Sequence, residues 1–175
     1  STRKESSAAS DVYKRQKHPS PVGILLIAAT DQGICGIYFE EHKHFKGKDG
    51  WQQAMPQSAA AKHLTRTAQQ LDEYFARKRT EFDVELDLAG TDFQRSVWQE
   101  LNAIPYGKSV SYAQHAQSLG NPKALRAVGS AIGKNPVSII VPCHRVIGSS
   151  GAVTGYAGGL ERKRFLLALE DIAVN

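Results

Sequence analysis

Apolar and polar positions follow two different periods along this chain, and the change between them divides it. Val22 to Ala29 is a continuous apolar run, Gly33 to Phe39 is another, and Thr30-Asp31-Gln32-Gly33 joins them. Short apolar runs bounded by turn residues predict a β-hairpin. After a less regular stretch from Glu40 to Gln57, Ser58 stands as an N-cap before Ala61, Leu64, Ala68, Leu71 and Phe75. Spacings of three and four give one apolar helix face. Phe82, Val84, Leu86 and Leu88 then alternate with Glu81, Asp83, Glu85 and Asp87, the period of a strand with one acidic face. Residues 21–90 are therefore expected to form a small α+β module with a three-stranded antiparallel sheet and a helix. Residues 1–20, rich in Ser, Lys and Arg and without apolar periodicity, are expected to be a disordered leader, the alternative being a basic arm that touches nucleic acid.

From Gly90 the pattern turns helical. Thr91-Asp92-Phe93-Gln94 has the form of a capping box, and Phe93, Val97, Leu101 and Ile104 continue as a stripe that Pro105 and Gly107 end. Trp98 lies beside that stripe and is expected in a core or a domain interface. A second helix is predicted from Ser111 to Leu119. A third is predicted from Asn121 as N-cap and Pro122 as first residue to Gly133, with Leu125, Val128 and Ile132 on its buried face. Two short helices joined by Leu119-Gly120-Asn121 match a helix-turn-helix. Residues 91–175 are thus expected to be a mainly helical second domain.

Composition narrows the class only a little. The chain of 175 residues is 41% hydrophobic and 22% charged, the balance of an ordinary globular protein. No apolar run has the length of a membrane-spanning helix. The net charge is +5, and residues 92–175 hold nine Lys/Arg against five Asp/Glu. A basic half favours an anionic partner. Two cysteines far apart, with no CxxC, form neither a disulfide framework nor a zinc site. Cys35 sits in an apolar strand pattern and reads as an inert core residue.

Cys143 is different. It follows the apolar run Val137 to Val141 and stands in Pro142-Cys143-His144-Arg145, where a neighbouring imidazole and guanidinium would favour a thiolate. If residues 137–141 form a strand, alternation holds Cys143 and His144 apart. Either the chain turns at Pro142 or a water links thiol and imidazole. His144 then needs an acceptor to fix its tautomer, and Glu170, at the end of an apolar helix, is the candidate. An exposed helix-terminal glutamate is the alternative. Within the body of the third helix, beyond Lys123 at its start, Arg126 is the one long cation, and Gly129 calls for a close backbone approach, to DNA or to a neighbouring helix. Residues 148–159 hold five glycines in twelve positions, without a nucleotide fingerprint, and are expected to wall the Cys143 pocket.

These residues resemble the O6-alkylguanine-DNA alkyltransferase family. The resemblance runs through Val97-Trp98, Ile104-Pro105-Tyr106-Gly107, Val110-Ser111-Tyr112, Gly120 to Ala124, Arg126 to Gly129, Asn135-Pro136, Pro142 to Val146 and Gly155-Tyr156 with Gly158-Gly159-Leu160. It implies repair in one step: a flipped O6-alkylguanine, and also O4-alkylthymine, gives its alkyl group to Cys143 irreversibly, in a single turnover. It further implies that His144 acts through a bridging water and is itself oriented by Glu170, that Tyr112 donates toward guanine N3, and that Arg126 fills the gap left by the extruded nucleotide. Ala124, Ala127 and Gly129 would let the recognition helix approach DNA closely. Asn135, Val146, Tyr156 and Ala157 would border the substrate pocket, Ala157 standing where some relatives carry a hydroxyl. The implied partner is double-stranded DNA containing O6-alkylguanine, bound by a monomer in the cytoplasm, or the nucleus of a eukaryote. No membrane, small-molecule cofactor or metal is expected. The rival readings are a cysteine hydrolase and a non-catalytic alkyltransferase-like or helix-turn-helix DNA-binding protein.

Overall fold

The computed structural model describes residues 13–40 and 54–175. They fall into two compact units, the first within residues 13–88 and the second over residues 89–175.

The first unit is built on an antiparallel sheet in the order β1 (Tyr13–Ser20), β2 (Gly23–Thr30), β3 (Gly33–Phe39). The two apolar runs form β2 and β3, paired from Leu25↔Phe39 to Thr30↔Gly33. The third strand is not the one the sequence suggests. Residues 13–20, expected to belong to a disordered leader, pair with β2 from Tyr13↔Ala29 to Ser20↔Gly23. The rest of the expected leader lies outside the described residues. An edge strand has only one partner, so it can be polar and aperiodic and still complete its ladder through the backbone. Residues 82–88 do not form a regular strand. They touch β3 through one parallel bridge, where Ile34 N donates to Glu85 O at 2.8 Å and Asp87 N to Ile34 O at 2.8 Å. A Cβ on Gly33 would stand 2.7 Å from Glu85 O, so that approach requires glycine. Helix α1 (Ala59–Phe75) is capped by Ser58 and packs on the sheet through Ala60, Leu64, Ala68, Leu71 and Tyr74. The buried stripe is thus shifted from Ala61 and Phe75 to their neighbours. Cys35 is partly exposed on β3, not sealed in the core.

In the second unit, α2 (Asp92–Leu101) begins with Thr91 and Gln94 bonded reciprocally as a capping box. A two-residue strand β4 (Val110–Ser111) leads directly into α3 (Tyr112–Ser118), capped by Ser111 with Gln114. Helix α4 (Leu125–Gly133) starts later than expected, because Asn121 to Ala124 close a separate turn, with Ala124 N donating to Asn121 O at 3.1 Å. Leu125 is 46% exposed and does not join Val128 and Ile132 in the core. Trp98 is buried within this unit, where its indole N–H donates to Ala131 O at 2.8 Å and ties α2 to α4. His115 does the same between α3 and α2, through Val97 O at 3.2 Å. The chain ends in α5 (Leu160–Leu169) and a short tail. Among the described residues no helix is long and apolar enough to cross a membrane.

Candidate active site

Residues 137–141 are not the expected strand: Val137 makes an isolated bridge and residues 138–140 form turns. Ile140 N donates to Ser138 O at 2.9 Å across Ile139, whose φ is 75°. This is the φ of the strained γ-turn, rare for any residue and most unfavourable for a β-branched one, at a cost of about 1–3 kcal/mol. Three residues on, Pro142 (φ −80°, ψ 64°) is the centre of an inverse γ-turn that Cys143 N closes on Val141 O at 2.8 Å. Asn135 holds both ends of this path. Its Oδ1 accepts from Val137 N at 3.0 Å, and its Nδ2 donates to Val141 O at 2.8 Å and to Cys143 Sγ at 3.1 Å. Cys143 to Arg145 then make one 3-10 turn, and β5 (Val146–Ile147) pairs in parallel with β4. That pairing sets Tyr112, the residue after β4, beside the nucleophile segment.

Cys143 and His144 are therefore separated by a tight turn, not by strand alternation. No direct hydrogen bond links them. His144 is fully buried and its Nε2 lies 2.7 Å from Glu170 Oε2. A carboxylate only accepts, so Nε2 carries the proton and Nδ1 offers the lone pair. Nδ1 is buried without a protein partner. Burial pushes the imidazole below its ordinary value, with Glu170 opposing and Arg145 and Lys163 reinforcing the shift. The ring is neutral at neutral pH and can act as a base.

Arg145 does not serve the thiol as the sequence suggests. Its Nε and a terminal nitrogen donate to the two Glu170 oxygens at 2.8 and 3.0 Å, and its other terminal nitrogen to Ile104 O at 2.7 Å. Gly107 N adds a bond to Glu170 Oε1 at 3.2 Å. Glu170 is thus a buried carboxylate with a cationic partner, not an exposed helix end. The Cys143 thiol is raised above its ordinary value by burial, against the pull of Asn135 and the Lys163 ammonium. The expectation of a thiolate favoured by its sequence neighbours is corrected: at rest this is a thiol.

A cavity of about 260 Å³ opens on Cys143. Tyr112, Asn135, Tyr156, Ala157 and Gly129 line it, whereas Val146 does not. Val146 is fully buried and contributes only its carbonyl, which accepts from Lys163. Tyr112 donates its hydroxyl to Thr154 O at 3.1 Å, and burial raises its value. Tyr156 is half-buried beside Ser138, and burial of its hydroxyl raises it well above its ordinary value. A Cβ on Gly129 would meet nothing within 4 Å. No neighbouring helix requires that glycine, and the space beside it is open. Arg126 and Ala127 are exposed on the same helix and Ala124 is half-buried.

Lys163 was not anticipated. It is fully buried and donates to Val146 O, Thr154 O and Gly155 O at 2.6, 2.7 and 3.1 Å, so it staples the glycine-rich wall. Burial lowers it to about 8. Its sequence signal is a lysine at a position where α5 faces inward. Among the described residues no group of His, Cys, Asp and Glu could hold a metal ion.

Comparison with known proteins gives a consistent result for both units. The ribonuclease-like domain of 6-O-methylguanine DNA methyltransferase matches residues 13–88, and the DNA binding domain of the same family matches residues 92–172. A methylated-DNA--protein-cysteine methyltransferase of Mycolicibacterium paratuberculosis is 48% identical over 151 residues, 86% of this chain and 88% of that protein. One from Methanosarcina acetivorans is 45% identical over 152 residues, 86% and 94% of the two chains. The crystal structure of Mycobacterium tuberculosis OGT in complex with DNA superposes with a TM-score of 0.81 at 45% identity, over 91% of this chain and 92% of that one.

Proposed function

Because the chain belongs to the 6-O-methylguanine DNA methyltransferase family, we propose that Cys143 is the acceptor of its reaction and O6-alkylguanine its substrate. The chain is a methylated-DNA--protein-cysteine methyltransferase, which repairs DNA by moving an alkyl group from the nucleic acid to a cysteine of its own. One observation carries the assignment to Cys143. Its sulfur lies on the cavity, bonded to Asn135, and the next residue is a neutral base whose acceptor nitrogen has no protein partner.

The chemistry follows from these groups. A base inside a duplex cannot reach a buried sulfur, so the nucleotide turns out into the cavity, and Arg126 on the exposed face of α4 takes its place in the stack. Open space over Gly129 gives the nucleotide a path to the pocket. A water passes the thiol proton to His144 Nδ1, and the sulfur displaces the alkyl carbon from O6. The S–C bond forms as the C–O bond breaks, and the electron pair passes to guanine. Tyr112 leaves Thr154 to donate its proton at N3, and the proton on His144 restores the tyrosine through solvent. A thioether is a poor leaving group, so each monomer reacts once.

Intact mass after incubation with duplex DNA carrying O6-methylguanine tests this reading. One methyl group per chain, mapped to Cys143, is expected, with no second turnover. Repeated turnover would mean a hydrolase, and an unmodified chain that still bound the lesion would mean a non-catalytic sensor. Cys143→Ala should abolish transfer and leave DNA binding intact.

A further inference from the structure

The reaction scheme leaves Arg145 unused, although its buried guanidinium makes three hydrogen bonds at the site. All three guanidinium nitrogens are committed: Nε and one terminal nitrogen to the two oxygens of Glu170, the other to Ile104 O. Its guanidinium carbon also lies 5.8 Å from the centre of the Tyr106 ring. A flat fork held at three points is a rigid template. Glu170 needs one, because it caps α5 where the helix ends, and its carboxylate could otherwise turn about its own side-chain bonds. One oxygen, Oε1, is shared by Arg145 and Gly107, while Oε2 is shared by Arg145 and His144.

We propose that Arg145 is a positioning residue for alkyl transfer: its guanidinium fork fixes the Glu170 carboxylate so that Oε2 holds the His144 ring with Nδ1 available to the Cys143 proton. This rests on the assignment of Cys143 and His144 given above. The fork acts in a second way, through charge. The groups facing His144 are Glu170 at the end of α5, Lys163 about two turns earlier on the same helix, and Arg145 from its own turn. Glu170 favours the imidazolium, whereas the two cations oppose it. With Arg145 present, the carboxylate can orient the ring without drawing a proton onto it. Without Arg145 the carboxylate would still orient the ring, but it would draw the ring's titration upward and weaken its hold on the neutral form.

Three variants test this: Arg145→Gln, Arg145→Lys, and Arg145→Gln in a Glu170→Gln background. Single-turnover transfer from O6-methylguanine duplex is followed from pH 5.5 to 9, alongside the titration of the His144 ring by NMR. Arg145→Gln is expected to slow transfer at neutral pH at least tenfold, to move the acid limb of the rate profile to higher pH, and to raise the ring's titration. In the Glu170→Gln background the same substitution should change the rate less than twofold, because Arg145 acts through that carboxylate. Arg145→Lys keeps the charge and loses the fork, so the rate should fall at least threefold while the acid limb stays in place. A wild-type rate and profile in Arg145→Gln, or an equal loss with and without Glu170, would overturn the proposal. If Arg145→Gln does not fold, a wild-type rate in Arg145→Lys overturns it equally well. The ring titration needs no DNA, so it judges Arg145 even if Cys143 accepted nothing, and the two readings fail separately.

Discussion

The two units differ in what they bury. Among the described residues, the buried polar groups of the first are Thr30, Thr67 and Gln70, all uncharged. Those of the second include His144, Arg145, Lys163 and Glu170, four ionisable side chains at one site. The first unit is also regular, with a sheet, a helix and polar caps, while the second sends its best-buried segment, residues 137–147, through two γ-turns and a 3-10 turn. Burying an ion costs free energy unless it is paired, and a β-branched residue in a left-handed conformation costs more. A fold tolerates such costs where a reaction needs the geometry. The contrast therefore locates the chemistry without reference to any motif.

Removing Glu170 attacks the contrast most directly. Glu170→Ala leaves Arg145 unpaired in the interior and should destabilise the chain by about 3–5 kcal/mol in urea unfolding. A loss below about 1 kcal/mol would mean that the ion cluster is no more demanding than the first unit's neutral groups. Asn135→Ala comes next. It removes the ties to Val137, Val141 and Cys143, and a cost of about 2–3 kcal/mol is expected, with transfer slowed far beyond what partial unfolding explains. The pH dependence sharpens the comparison further. His144 has a lowered value in the folded chain, so between its ordinary value near 6.5 and that lower one the unfolded chain binds the extra proton. Stability should be indifferent to this group above that window and fall as pH drops through it. His144→Gln should flatten that part of the curve, and an unchanged slope would count against a neutral buried ring. The smallest effect belongs to the first unit: Thr30→Val removes the 2.6 Å bond to Asp87 at the one bridge to residues 82–88. About 1 kcal/mol of stability should go, with the transfer rate untouched.

Much of this was legible in the chain. The capping box at Thr91, the hairpin and helix α1 are local, and local chemistry suffices to specify them. What was not legible depends on distant partners. Tyr13 to Ser20 becomes a strand because β2 offers an edge, while the clean alternation of Phe82 to Leu88 earns a single bridge because β3 is approached only at Ile34. At the site, the apolar run 137–141 has the composition of a strand and the path of a turn, imposed by Asn135 from outside the run. His144 and Glu170 could be paired on paper. Arg145 could not, since its adjacency to the thiol in sequence says nothing of the carboxylate it faces 25 residues later. Lys163 was overlooked because lysines on helices usually face water.

The depth of Cys143 has a consequence for how long the protein lasts. Its side chain is 7% exposed, and burial keeps it in the thiol form. Peroxide and small soluble alkylating agents consume thiolates that solvent can reach. An acceptor with a single reaction in it is spent as completely by such an encounter as by a damaged base. The desolvation that keeps the sulfur protonated is thus also what preserves it, unreacted, through the interval before a lesion arrives.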